Sequence, residues 1–189
     1  MTVEAIKDKK KVEALLTYLK GKSERDWSLC KFQLSTGLRI SDVVSVQVHN
    51  LITEQNNFKD YFILNEKKTG KLKKIKINDE LRKALKSFIR ESYLTNEDYI
   101  FKSRKQVYKS HISVTQAYRI LKAGAEAVGI ENFGTHSLRK TWGFWTYDKS
   151  KYNIALIMSI FNHSSQNITL RYIGIDQKSQ DELYSLVQF

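Results

Sequence analysis

Six side chains stand out for what they could do together: Arg39 in "STGLRISD", Lys68 in "EKKTGK", His136 and Arg139 in "THSLRK", His163 in "FNHSS" and Tyr172 in "TLRYIG". Two guanidiniums can grip the non-bridging oxygens of a phosphodiester through fork-shaped, charge-assisted hydrogen bonds, and can stabilise the extra charge of its pentacoordinate state. An ammonium can protonate the departing oxygen, and a phenol that gives up its proton can attack from the opposite side. His136 and Arg139 are spaced i, i+3, which puts them on adjacent turns of one helix. Such a set would let fixed cations do the work that a nuclease assigns to a metal ion.

The order of these pieces resembles the catalytic domain of the tyrosine recombinases, the phage-integrase family. That pattern has an arginine after Thr-Gly-Leu, a lysine in a β-hairpin and a His-x-x-Arg pair. A His or Trp follows, then a tyrosine nine residues later, as His163 and Tyr172 are spaced here. The resemblance runs from about residue 8 to about residue 180. No single piece is specific, whereas six in order form a strong signal.

The resemblance implies that Arg39 and Arg139 clamp the scissile phosphate, Lys68 protonates the leaving 5′ oxygen, His136 assists proton transfer and His163 donates a hydrogen bond to the phosphate. Tyr172 would be the nucleophile, forming a covalent 3′-phosphotyrosine that can be rejoined without ATP, metal or other cofactor. Asp42, one turn after Arg39, matches an acidic position of the family and would support the cationic cluster from behind. The implied partner is double-stranded DNA, with a tetramer on synapsed DNA and a monomer as a possible state in solution. A catalytically silent DNA-binding relative and a type IB topoisomerase-like relaxing enzyme are the alternatives. The separate helical DNA-clamping domain that precedes this domain in the family is not expected within residues 1–189, which are expected to be one catalytic domain, either a fragment of a longer recombinase or a naturally short protein, that binds DNA weakly and in a salt-sensitive way unless another chain supplies the clamp.

Each position has a plainer competitor. Lys68 is surrounded by Lys67, Lys71, Lys73 and Lys74, and is preferred because it alone precedes Thr-Gly. His163 could cap the next helix, and it follows Asn162 where many family members have glycine; asparagine can take the same left-handed backbone angle. Tyr172 competes with nine other tyrosines, Tyr147, Tyr152 and Tyr184 being nearest in sequence. The aromatic run "TWGFWTY" is expected to pack in the core rather than to stack on bases. His49 and His111 fit no motif.

The elements that must position these residues are mostly helical. Val12, Leu15, Leu16 and Leu19 lie on one helix face, with Gly21 as its expected end. A second helix should open at Ser23, capped as its Asp26 suggests, and close at Gly37; a short third should begin at Ser41. Residues 60–65 and 72–77 alternate around "KKTG" as a lysine-tipped hairpin. Helices follow over "NDELRKALKSFIRES" and "SVTQAYRILKAGAEAVG", the latter ended by Gly129, with three or four short helices after Thr135. The fold class is α+β, mainly helical, with a small antiparallel hairpin or three-stranded sheet, and the resemblance implies a tyrosine-recombinase catalytic-domain fold. Leu183, Leu186 and Val187 suggest a C-terminal amphipathic helix, folded back on its own core or docked on a neighbouring subunit.

Composition agrees with a polyanion-binding domain. The 189 residues are 41% hydrophobic, enough for one core, and carry a formal charge of +12. No apolar run approaches the length of a membrane span and the N-terminus does not look like a signal peptide, so a cytoplasmic location without membrane contact is expected. One cysteine, Cys30, excludes a disulfide framework and a multi-cysteine zinc site, and should be a small buried side chain.

Overall fold

A computed structural model of the protein describes residues 3–103 and 110–175. Among these residues the chain forms nine helices and one two-stranded antiparallel sheet. The mainly helical α+β expectation therefore holds, and the sheet is the hairpin rather than a three-stranded one. The C-terminal segment with Tyr184, Leu183, Leu186 and Val187 lies outside the described residues.

Helix α1 (Lys9–Lys22) starts where the Asp8 side chain accepts the Lys10 N–H, and it buries Leu15 and Leu19. It does not stop at Gly21 as expected. A glycine inside a helix costs only about 1 kcal/mol relative to alanine. The break comes at Ser23, whose extended backbone ends α1 while its hydroxyl accepts the Asp26 N–H and opens α2 (Glu24–Thr36). Helix α2 buries Leu29, Cys30 and Phe32 at the centre of the molecule. Burial pushes the Cys30 thiol up to about 12, so it behaves as the small apolar side chain expected.

Gly37 closes α2 at φ 63, a left-handed angle. The turn leads straight into α3 (Ile40–Val44) with Arg39 as its N-cap residue, so a helix end and a helix start fix the arginine between them. After α4 (Val48–Leu51) come β1 (Tyr61–Asn65) and β2 (Leu72–Lys76), paired so that Phe62 opposes Ile75 and Leu64 opposes Lys73. Residues opposite one another share a face of the hairpin. Lys73 thus lies on the same inward face as the buried Phe62, while Leu72, Lys74 and Lys76 face out. Asn78 caps α5 (Asp79–Glu91), and α6 (Val114–Ala127) is followed by Gly129 at φ 67.

The last three described helices are α7 (Ser137–Lys149), α8 (Ile154–Phe161) and α9 (Gln166–Ile173). Ile157, Phe161 and Ile173 form a small second core, with Trp142, Phe144, Tyr147 and Tyr172 packed around it. The aromatic run is packing, as expected. The N-terminal segment before α1 lies across α7: the Ile6 N–H donates to Thr141 Oγ1 at 2.8 Å, and Trp145 Nε1 donates to the Ile6 carbonyl at 3.1 Å. No helix among the described residues is long and apolar enough to cross a membrane.

Close approach of α8 and α9 to α7 depends on Gly143, where an added Cβ would sit 2.7 Å from Ile173 Cγ2 and 2.8 Å from the Phe161 ring. At Gly21 nothing lies within 4 Å. Two glycine-to-alanine changes should therefore have opposite signs in urea denaturation. Gly143→Ala is expected to destabilise by about 1–3 kcal/mol through overpacking, and Gly21→Ala to stabilise by about 0.5–1 kcal/mol. Equal effects of the two would contradict this packing.

Candidate active site

Arg139 is the anchor. Its side chain points from α7 into the interior, leaving the residue 2% exposed. Nη1 donates to the Gly37 carbonyl at 2.6 Å, and the guanidinium carbon stands 4.3 Å from the Phe161 ring centre. Nη2 is buried and makes no hydrogen bond of good geometry among the described residues, although the guanidinium lies close enough to the Tyr172 hydroxyl to interact with it. An unsatisfied donor on a buried cation costs several kcal/mol unless something accepts from it, as order of magnitude.

Arg39 is held in the same way from the other side. Its Nη1 donates to Glu66 Oε1 at 2.8 Å. Each guanidinium is thus tethered through one nitrogen, and the Gly37 carbonyl binds the second arginine two residues before the first. That local link explains why the helix end at Gly37 must precede Arg39 so closely.

Tyr172 projects from α9 into the same space. Its ring packs edge-on to those of His163 and Phe161, at centroid separations of 5.0 and 5.3 Å. Its hydroxyl lies 3.1 Å from His136 Nδ1. Burial raises the phenol pKa above its ordinary value, although the charge of Arg139, its hydrogen bonding to the phenol and the charge of Arg39 pull it down. The free phenol therefore keeps its proton at neutral pH and needs a base, and the neighbouring imidazole is in place to be one.

His136 stands at the N-cap of α7, exposed, with Arg139 one turn further in. His163 follows Asn162, which ends α8 at φ 56, the left-handed angle that glycine would otherwise supply. His163 Nδ1 lies 3.1 Å from Thr169 Oγ1, whose own proton goes to the Ser165 carbonyl. The threonine oxygen is then the acceptor, and the imidazole carries its proton on Nδ1. Both imidazoles have pKa values lowered by burial and by the charges of Arg139 and Arg39; for His136, Lys140 and Lys68 add to this, and for His163, Lys73.

The six expected residues divide into five that converge and one at the margin. Arg39, His136, Arg139, His163 and Tyr172 share one cleft. Lys68 sits in the exposed turn of the hairpin, close enough for its charge to act on His136. Asp42 supports the same turn: its Oδ1 accepts the Lys67 N–H at 3.0 Å. The carboxylate that grips Arg39 is instead Glu66, which sequence reasoning passed over, together with Thr169; Lys73 enters the sequence reading only as a competitor of Lys68, and Asn162 only for its backbone angle. A signal was present: Glu66 is one acid among six lysines between Asn65 and Ile77, and Lys73 falls in phase with Ile75 and Ile77.

Among the described residues no group of three or more His, Cys, Asp or Glu side chains is placed to hold a metal ion. The cleft is instead a convergence of fixed cations beside a half-buried phenol, with one guanidinium donor open.

The phage integrase family model matches residues 7–179. The probable integrase/recombinase YoeC of Bacillus subtilis (strain 168) is 39% identical over 184 residues, covering 97% of this chain and 96% of that one. A tyrosine recombinase of Pseudothermotoga lettingae is 25% identical over 170 residues, 88% of this chain and 56% of that one. In structure the chain is similar to the XerA recombinase, with a TM-score of 0.73 at 18% identity over 99% of this chain and 66% of that one. It is also similar to the XerH site-specific recombinase bound to its difH substrate before cleavage, with a TM-score of 0.71 at 18% identity over 98% of this chain and 55% of that one. The chain thus spans about one half to two thirds of these solved recombinases and of the Pseudothermotoga protein.

The charges of the cleft should be visible in histidine titrations followed by NMR. His136 and His163 are expected to titrate below the ordinary imidazole value of about 6.5, and Arg139→Gln should move both upward by removing a neighbouring positive charge. The sign for stability follows. With folded pKa values depressed, the unfolded chain binds more protons as pH falls below about 6.5, so the stability owed to neutral imidazoles is complete above that pH and is lost as pH falls through the folded values. Titration of both residues at or above the ordinary value would contradict the geometry.

Proposed function

The chain belongs to the phage integrase family, and from that premise we propose that it is a DNA strand-breaking and rejoining enzyme, a site-specific tyrosine recombinase. The observation that carries this reading is the open Nη2 of buried Arg139 in the same cleft as a phenol 3.1 Å from an imidazole nitrogen. A cation held this way is a preorganised receptor for a phosphate oxygen.

The steps follow from the groups present. Arg39 and Arg139, each fixed by Nη1, turn their remaining donors to the non-bridging oxygens of the scissile phosphate. His136 takes the Tyr172 proton as the phenolic oxygen bonds to phosphorus. The bond from phosphorus to the 5′ oxygen breaks, and Lys68 supplies the proton that makes this oxygen a hydroxyl. His163, held on Thr169, donates to the phosphate when its second nitrogen is protonated. The product is a 3′-phosphotyrosine ester, and attack by a 5′ hydroxyl of another strand reverses each step to rejoin the DNA. One phosphoester is exchanged for another, so the sequence needs neither ATP nor a cofactor, and the arginines stand where a metal would.

Lys68 serves this scheme from the exposed turn of the hairpin, where its charge already acts on His136. The net charge of +12 supports duplex DNA as the partner. Relatives bound to DNA, such as the XerH pre-cleavage and post-cleavage complexes, support the same partner. On this reading the enzyme acts in the cytoplasm, as a tetramer on two synapsed duplexes.

Incubation with a pool of nicked duplexes of random sequence, in which the short released strand diffuses away, should trap a covalent protein–DNA adduct on a denaturing gel, with or without a chelator. Tyr172→Phe is expected to abolish the adduct, and Arg39→Ala or Arg139→Ala to slow it roughly a hundred- to a thousandfold. An adduct that persists in Tyr172→Phe would move the nucleophile elsewhere. Duplex affinity should also fall steeply between about 50 and 200 mM salt, as several released counterions demand; a flat dependence would count against the basic surface as the binding face.

A further inference from the structure

Glu66 is the most fully partnered side chain in the neighbourhood, and its partners are the groups the reaction uses. Its side chain is 0% exposed. Oε1 accepts from Arg39 Nη1 at 2.8 Å and from Lys73 Nζ at 2.9 Å. Oε2 accepts from Thr69 Oγ1 at 2.8 Å and from Asn162 Nδ2 at 3.1 Å. A carboxylate has about four lone-pair sites, and all are taken.

We infer that Glu66 is a positioning residue for strand cleavage, holding Arg39, the hairpin turn that carries Lys68, and the helix end that carries His163 in one register. This rests on the recombinase reading of the site and adds a residue to it. An acid beside an incoming phosphate would ordinarily repel it. Here the donors that surround Glu66 direct its charge inward, so it fixes cations without presenting a free oxygen to the cleft. Thr69 is the residue after Lys68, Asn162 the residue before His163, and Arg39 is bound directly.

The electrostatics agree. Burial raises the Glu66 pKa, but the hydrogen bonds from Lys73 and Thr69 and the charges of Lys73 and Arg39 outweigh it and hold the carboxyl below its ordinary value. Burial lowers the Lys73 pKa; Glu66 raises it, while Arg139 and Arg39 lower it further. Lys73 also donates to the Ile160 carbonyl, tying the hairpin to α8 two residues before Asn162. The charged groups facing Glu66 are thus Arg39 from the start of α3, Lys73 from β2 and Arg139 from α7, with the uncharged Asn162 and Thr69 completing its shell. Among the described residues, Arg39 and Lys73 have no other carboxylate partner.

The test compares the full-length wild type with Glu66→Gln and with Glu66→Gln/Lys73→Gln, which removes both charges of the pair and leaves no unpaired buried ammonium. Adduct formation on the random nicked-duplex pool is followed against pH, alongside duplex affinity and melting temperature. Glu66→Gln is expected to slow the adduct about a hundredfold, the scale of a small misplacement of reacting groups, while binding duplex as tightly as wild type or more so. Its pH profile should move to lower pH, because removing the anion makes the Lys73 ammonium release its proton earlier. The double variant should melt near the wild type and remain slow, which separates positioning from folding. Wild-type rates and an unmoved profile in Glu66→Gln would overturn the inference and leave the recombinase reading intact. Parallel losses of melting temperature, binding and cleavage in both variants would also overturn it, reducing Glu66 to a fold element. Failure of the wild type itself to form an adduct would instead remove the reading on which the inference rests.

Discussion

A buried guanidinium with a donor left open is the constraint around which this protein is arranged. Taking a charged group out of water costs several kcal/mol unless hydrogen bonds replace the lost solvent. Arg139 recovers part of that through the Gly37 carbonyl and the face of Phe161, and the remainder is left for a ligand to supply. The surrounding structure serves this placement. Helix α2 must end at Gly37 to aim a carbonyl at the guanidinium, α8 must bring Phe161 beneath it, and Gly143 must be small so that α8 and α9 reach α7.

The second arginine shows the complementary solution. Arg39 is less deeply buried and is neutralised by a carboxylate instead of a carbonyl. A site made only of cations would repel itself, since unit charges a few ångströms apart in a partly desolvated cleft interact by several kcal/mol as an order of magnitude. Glu66 relieves that repulsion at the rear of the cluster while the front remains positive. The phenol of Tyr172 experiences both effects: burial keeps it protonated, and the arginines lower the cost of its ionisation. The nucleophile is thereby held in an inactive protonation state next to the group that can activate it.

Much of this was legible in the sequence because it is local. Helical spacing located Leu15 and Leu19, Ser23 and Gly37 bounded α2, and alternation placed the hairpin. The candidate residues were legible through order and spacing along the chain, as with His163 and Tyr172. What stayed hidden depends on contacts between distant segments. The partnership of Glu66 with Arg39 and Asn162 spans 27 and 96 residues, and no periodicity encodes it. Gly21 misled because glycine marks helix ends only when a left-handed angle is needed, and here the neighbouring Ser23 makes the break. Lys73 was not singled out from its neighbours because in a run of lysines only strand phase distinguishes the one that faces inward.

The central claim is that Arg39, Arg139 and Tyr172 address a single phosphorus centre. A crystal structure grown with orthovanadate, which adopts the five-coordinate geometry of the transferring phosphate, and a short duplex tests it most directly. The account predicts one vanadium bonded to the Tyr172 oxygen, with both guanidiniums on its equatorial oxygens and Arg139 Nη2 no longer open. Vanadate held by one arginine alone, or placed beyond reach of Tyr172, would contradict it.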